Sequence, residues 1–251
     1  MTREALEVLN TAHGQCRLSV TSATELKLSP YNGRNLNIAG RVEQIPSAGV
    51  TISNTGLAAS TVYYVYAYMD EGDMALELST TGHETHTNGV EVKDGDASRT
   101  LVSMVYTTNN TPGQFSDAAQ FRFLLNWYNR RPITTVSSSA GGTVSSTTFA
   151  EITSAARCHF LCWADEPVDI QVVGTVLPNT INAIAGTIAG TGAGTGGSLT
   201  GAQAYTANAT LPATARMLGD LTEGYHYGTG YGRVTTGNGA WTIGVMVTTR
   251  G

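Results

Sequence analysis

Lysine is nearly missing from this sequence: Lys27 and Lys93 are the only two among 251 residues. Charged side chains of both signs make up 13% of the chain, well below the usual proportion of about a quarter. The formal net charge is −5, and the one basic cluster is Arg130-Arg131 with Arg122 nearby. That is not the electrostatic footprint of a nucleic-acid binder. Charge repulsion is too weak to hold the chain open, so global disorder is excluded. Apolar runs of about 18 residues are also missing, which excludes a transmembrane helix and membrane insertion by that route. No apolar stretch followed by a cleavage site opens the chain, so the expectation is a protein made and first folded in a cytoplasm, without a signal peptide.

Cysteine is scarce, with only Cys16, Cys158 and Cys162 present. Placed on one strand, Cys158 and Cys162 stand about 13 Å apart, too far for a disulfide. Any bridge then involves Cys16 or another chain, and the odd count makes an inter-chain bridge the one to test. The alternative is three buried, inert thiols. The spacing does not suit zinc.

Catalytic constellations are missing too. No serine sits in a Gly-x-Ser-x-Gly elbow, and carboxylates pair only in turns, whereas a glycosidase needs them across a cleft. Cys158 and His159 are neighbours, but adjacent strand residues face opposite ways. His83-Glu84-Thr85-His86 has its histidines three apart in a threonine-rich loop, not four apart on a helix, so no metal site is expected. Gly192-Ala193-Gly194-Thr195-Gly196-Gly197 fits a dinucleotide pattern by letter but lacks the strand–turn–helix context. Asp70-Glu71-Gly72-Asp73 and Asp94-Gly95-Asp96 read as turns in which aspartate caps its own backbone, not as calcium loops. These readings predict a non-enzyme with no cofactor.

What is abundant is small residues, with 29 glycines, and β-forming runs. The densest is Val62-Tyr63-Tyr64-Val65-Tyr66-Ala67-Tyr68-Met69. On a strand, Val62, Tyr64, Tyr66 and Tyr68 share one face, and Tyr63, Val65, Ala67 and Met69 the other. Both faces are apolar or amphipathic, so the strand should lie between two layers. Alternation recurs at Cys16–Val20, Glu25–Ser29, Leu36–Gly40, Val50–Ile52, Met74–Ser79, Val90–Val92 and Thr100–Tyr106, with Asn32-Gly33 as the strongest hairpin signal. Such spacing predicts a sandwich or barrel.

Residues 2–11 read as a short helical arm, and 118–128 as a strand in preference to a helix. The Ser/Gly/Thr-rich segment 134–146 reads as a linker or the first turn of a second domain. Strands follow near 148–152, 157–163, 168–173, 224–231 and 240–248, with 183–201 as a long loop or weakly ordered strand. The expected fold is all-β: two antiparallel β-sandwich, jelly-roll-like domains at 14–133 and 134–251, preceded by an arm at 1–13. Tyr225, Tyr227, Tyr231 and Trp241 are candidates for stacking on sugars, or for packing a sheet or a subunit contact.

Six segments in order, 28–33 (Leu-Ser-Pro-Tyr-Asn-Gly), 45–50 (Ile-Pro-Ser-Ala-Gly-Val), 60–67 (Ser-Thr-Val-Tyr-Tyr-Val-Tyr-Ala), 78–83 (Leu-Ser-Thr-Thr-Gly-His), 95–102 (Gly-Asp-Ala-Ser-Arg-Thr-Leu-Val) and 126–131 (Asn-Trp-Tyr-Asn-Arg-Arg), resemble virion fibre proteins of tailed bacteriophages. The second half resembles their knobs more loosely, through 222–227 (Thr-Glu-Gly-Tyr-His-Tyr), a glycine-rich turn and a final strand. The resemblance implies a non-enzymatic, homotrimeric virion component, assembled in the host bacterial cytoplasm with other neck, tail or capsid proteins. Its C-terminal heads would be jelly rolls with the last strand in the sheet core. It also implies attachment through the N-terminal arm, where Glu4, Leu6, Val8 and Leu9 stand. The repetitive shaft of long tail fibres is missing here, which favours a compact collar, neck or head fibre at least as much as a tail fibre. Cysteines linking neighbouring chains would harden the particle outside the reducing host. The rival reading is a receptor-binding tip that recognises a host cell-surface glycan.

Overall fold

The computed structural model describes residues 13–251. They form 24 strands and a single 3₁₀ turn at Ser154–Ala156. The fold is all-β, built from antiparallel sheets with one short parallel pairing, Phe121↔His159 and Arg122↔Phe160. The expected arm at 1–13 falls outside the described residues except for His13.

The chain divides into two compact units. One holds the residues up to Asp117, Phe123–Arg131 and Gly251; the other holds Ala118–Arg122 and Pro132–Arg250. The main passage from one unit to the other is therefore at Arg131/Pro132. The excursion of 118–122 into the second unit departs from a single boundary at 133/134. It rests on that parallel pairing, which joins residues 38 positions apart.

In the first unit, a three-stranded sheet (Cys16–Ser22, Glu25–Pro30, Val50–Ser53) and a six-stranded sheet enclose a core. Leu18, Leu26, Leu28, Leu36, Ile38, Val65, Ala67, Val102 and Val105 fill it. The tyrosine run is the strand Val62–Asp70, paired with Asp73–Ser79 on one side and Asp96–Tyr106 on the other. Tyr63, Val65 and Ala67 point into the core. On its other face Tyr66 is fully buried and its hydroxyl donates to the carbonyls of Thr81 and Gly82. Tyr64 meets the edge of His83 at 5.6 Å, His83 lies 5.3 Å from the Trp127 ring, and Arg99 sits 4.7 Å over Tyr68. A layer of side chains thus covers this face.

The turn after the tyrosine strand places Glu71 at φ 49° and Gly72 at φ 99°, the left-handed pair that a tight hairpin demands. Asn32-Gly33 also takes positive φ, but it makes no hairpin. It carries the chain from one sheet, at Glu25–Pro30, to a separate two-stranded one, Asn35–Ile38 with Arg41–Gln44. The Gln15 side chain accepts from the N–H groups of Arg34 and Asn35, and so takes over what cross-strand bonds would have done.

The second unit is a sandwich of a larger, eight-stranded sheet and a smaller, five-stranded one. In the larger, Cys158–Cys162, Gly224–Val234 and Ile184–Thr191 lie side by side. In the smaller, Gly239–Arg250 is interior, flanked by Val168–Pro178 on one side and by Pro132–Val136 and Ala140–Val144 on the other. Segment 134–146 therefore belongs to the second unit as the end of one strand and the whole of another, joined by a short connection, and is not a linker. Segment 183–201 holds the strand Ile184–Thr191 at the heart of the larger sheet, with Ala185, Ala189 and Thr187 buried, and a turn leads from it to the short strand Gly194–Thr195.

Small residues are what the packing requires. A methyl group added at Gly230 would lie 2.6 Å from Ile243 Cδ1, and one at Gly232 would lie 2.9 Å from the Trp241 ring. Glycine and alanine on the larger sheet leave the room that Trp241, Ile243 and Val247 occupy from the smaller. Low complexity here is the imprint of close sheet packing.

Candidate interaction surfaces

The outer face of the larger sheet carries a ladder of aromatic and charged side chains. Alternation along Gly224–Val234 puts Tyr225, Tyr227, Thr229 and Tyr231 on one side, with glycines on the core side. The neighbouring strand adds His159, opposite Tyr227, and Glu151 comes in opposite Tyr231. The His159 ring stacks on Tyr225 at 5.9 Å and 13°, its Nδ1 within hydrogen-bond reach of the Tyr225 hydroxyl. It also lies 6.0 Å from Tyr227 and 6.4 Å from Phe121. Arg157 lies 4.2 Å over the Tyr227 ring while its guanidinium donates to both Glu151 oxygens, at 2.8 and 2.7 Å. Thr229 adds a third bond to Glu151 at 2.9 Å, and the Tyr231 hydroxyl donates to the Thr191 carbonyl at 2.7 Å.

Hydrogen bonds from Arg157, aided by Thr229, hold the Glu151 carboxyl below its ordinary range and raise Arg157 in turn. Burial, aided by the Arg157 charge, pushes His159 below the ordinary histidine value. Burial raises the Tyr231 phenol. At neutral pH the carboxylate is ionised and engaged, and the imidazole is neutral. Such an arrangement orders this face of the sheet. Beside it, Gly192, Ala193, Tyr225, His226 and Tyr227 line an open depression of about 290 Å³.

Three of the four residues expected to contact a sugar, Tyr225, Tyr227 and Tyr231, share this face. Trp241 does not. It is 1% exposed and its indole N–H donates to Thr187 Oγ1 at 3.0 Å, so it is core and cannot reach a glycan. The inter-chain disulfide is likewise corrected. Cys16, Cys158 and Cys162 are free thiols, each 1% exposed, and burial pushes all three up to about 12. A sulfur enclosed in its own core cannot meet one from a neighbouring chain. The attachment residues Glu4, Leu6, Val8 and Leu9 lie outside the described residues.

The histidine pair of the first unit is taken up locally. His83 pairs with Glu91 at 2.6 Å, and His86 meets Asn88 at 3.2 Å. Asp96 caps Ser98 N–H at 3.0 Å, as a turn aspartate does. Among the described residues no cluster of three potential metal ligands occurs, and no helix is long and apolar enough to cross a membrane.

A second surface escaped the sequence reading. The outward positions of the smaller sheet include Val136, Val173 and Leu218, which are 39%, 59% and 66% exposed. The available signal was the alternation of Val168–Pro178, whose outward residues (Asp169, Gln171, Val173, Thr175, Leu177) carry one charge.

No protein-family model matches the chain, and no curated protein matches it. Among solved structures it is similar to the infectious bursal disease virus Gx strain structure, with a TM-score of 0.34 and 10% identity over 96% of this chain and 58% of that one. It is similar also to a β-porphyranase of glycoside hydrolase family 86 from the human gut bacterium Bacteroides plebeius, with a TM-score of 0.28 and 9% identity over 96% of this chain and 38% of that one. A third is the mosquito-larvicidal Cry4Aa toxin from Bacillus thuringiensis, with a TM-score of 0.27 and 6% identity over 95% of this chain and 53% of that one. The chain spans less than two thirds of each, and likeness this slight carries no argument about function.

Proposed function

We propose that this chain is a non-enzymatic structural component of a bacteriophage virion, a short homotrimeric fibre or a collar, neck or head protein attached through its N-terminal part. The observation that carries the reading is where the chain leaves apolar surface uncovered. Of the ten large apolar side chains exposed among the described residues, eight (Phe121, Val136, Val173, Ile181, Ile184, Leu199, Tyr205 and Leu218) lie in the second unit. Three of them, Val136, Val173 and Leu218, stand on the outward face of the smaller sheet; apolar surface gathered on one face gains by being covered, and a chain with so few charges can be covered without burying unpaired ions. Sister copies are the covering the resemblance to virion fibres suggests. Light scattering of the purified protein tests it: about three copies are expected, with or without reductant, and a solitary protomer overturns it. Peptides of this chain in purified phage particles test the location.

The second reading is a receptor-binding tip for a host cell-surface glycan. The depression beside Tyr225 and Tyr227, with His226, Gly192 and Ala193, favours it. Its test is a glycan-array signal that Tyr227→Ala abolishes while the fold is kept.

A further inference from the structure

The outward positions of the smaller sheet are nearly free of charge. In the register of its strands, Val136, Met246, Gln171 and Arg216 form one row across it, and Thr134, Thr248, Asp169 and Leu218 the next. Gly244, Val173 and Thr214 form another, followed by Thr242, Thr175 and Pro212. Asp169 and Arg216 are the two charges within these rows, and they neutralise each other through two bonds of 2.8 Å. At the far end of Gly239–Arg250, Arg250 meets Glu166 at 3.8 Å.

We propose that this face is the surface through which copies of the chain meet; the inference rests on the homotrimer reading and names its interface. Three observations fix the occupant as a second copy. The face has no net charge to offer a nucleic acid, a charged peptide or a lipid headgroup, yet it complements itself, since each copy brings only an internally paired Asp169–Arg216. Its size fits: strands of this length, four abreast, span about 700 Å² in projection, near the roughly 800 Å² that each partner contributes to a standard interface. Finally, edge-to-edge pairing is blocked. The edge strand Leu211–Gly219 holds Pro212, which has no N–H to give, and its Arg216 carbonyl already accepts from Ser198 N–H at 2.7 Å. At the other edge Val136 N–H is bonded to Ala119 O at 3.1 Å. Contact is left to the Thr- and Val-bearing face.

The experiment compares the assembled mass of the full chain with that of Val173→Asp and Thr214→Lys, both on the face. Val42→Asp, 38% exposed, in the first unit and outside these rows, is the control. Burying a lone charge at the contact should weaken association at least about 100-fold. The two face variants should therefore run as monomers with unchanged near-ultraviolet dichroism, and the control should assemble like wild type. If Val173→Asp fails to fold, Thr214→Lys decides alone. Face variants that assemble like wild type overturn the inference while leaving the homotrimer reading intact, as does loss of assembly in the control only. A wild-type chain that is itself monomeric removes both.

Discussion

Trp241 and Thr187 join the two layers of the second unit: the indole N–H of one sheet donates to the hydroxyl of the other at 3.0 Å, with both residues 1% exposed. The bond exists because Gly232 and Gly239 leave the indole a slot; a methyl at either would lie within 2.9 Å of its ring. Trp241→Phe keeps most of the volume and strands the Thr187 hydroxyl, so it should cost about 1–3 kcal/mol. Trp241→Ala should cost about 3–5 kcal/mol. Denaturant unfolding checks both. A wild-type midpoint for Trp241→Ala would contradict the core placement.

Glycines of this unit should rank by what stands in the way. A Cβ at Gly142 would lie 1.9 Å from the Ile152 carbonyl oxygen, which is backbone and cannot step aside. At Gly230 the nearest atom, at 2.6 Å, is the tip of the Ile243 side chain, which can turn. Gly142→Ala should therefore lose about 3 kcal/mol or more. Gly230→Ala should lose less, about 1–2 kcal/mol, because that turn and the lower entropy of its unfolded chain relieve part of the overpacking. The reverse order in thermal melting would refute the packing argument.

The three thiols should be silent. Buried and raised to about 12, they should not react with a thiol reagent in the native protein, and all three should react once it is denatured. Non-reducing electrophoresis of assembled protein should show the single-chain band alone. Rapid native labelling, or a band at twice the chain mass, would restore the covalent link.

What was legible in the sequence followed from side-chain period. The tyrosine run alternates, so its core face (Tyr63, Val65, Ala67) could be read directly. Tyr225, Tyr227 and Tyr231 are two and four apart, so their common face could be read as well. Segments 134–146 and 183–201 have no apolar period, because the residues facing the core there are, Val144 apart, glycine, alanine and threonine. Their strand character is imposed by partners such as Trp241 and Ile243, far away in sequence. For the same reason Trp241 looked like a surface aromatic: nothing local says that glycines elsewhere make room for it. The partners of the tyrosine ladder, Glu151, Arg157 and His159, lie more than 60 residues from it and meet it only through strand pairing. Alternation also shows which residues of Val168–Pro178 point outward, but not whether a second layer covers them.

His159 should give the protein a pH dependence of definite sign. It faces Tyr225, Tyr227, Phe121 and, through its charge, Arg157. Burial first and that charge second hold it below the ordinary histidine value. As pH falls through about 6.5 the unfolded chain takes up a proton that the folded one refuses. Stability contributed by the neutral ring is therefore complete above that pH and is lost progressively below it, until the folded ring also titrates. His159→Phe keeps the stacking and removes the proton, so its melting temperature should be flatter than wild type between about pH 6.5 and pH 5. Arg157→Met should shift the ring's titration upward, as followed by proton NMR, because the second of the two causes is gone. A wild-type melting curve that rises as pH falls across that range would mean that the ring accepts its proton more readily folded than unfolded, and would overturn the packing assigned to it.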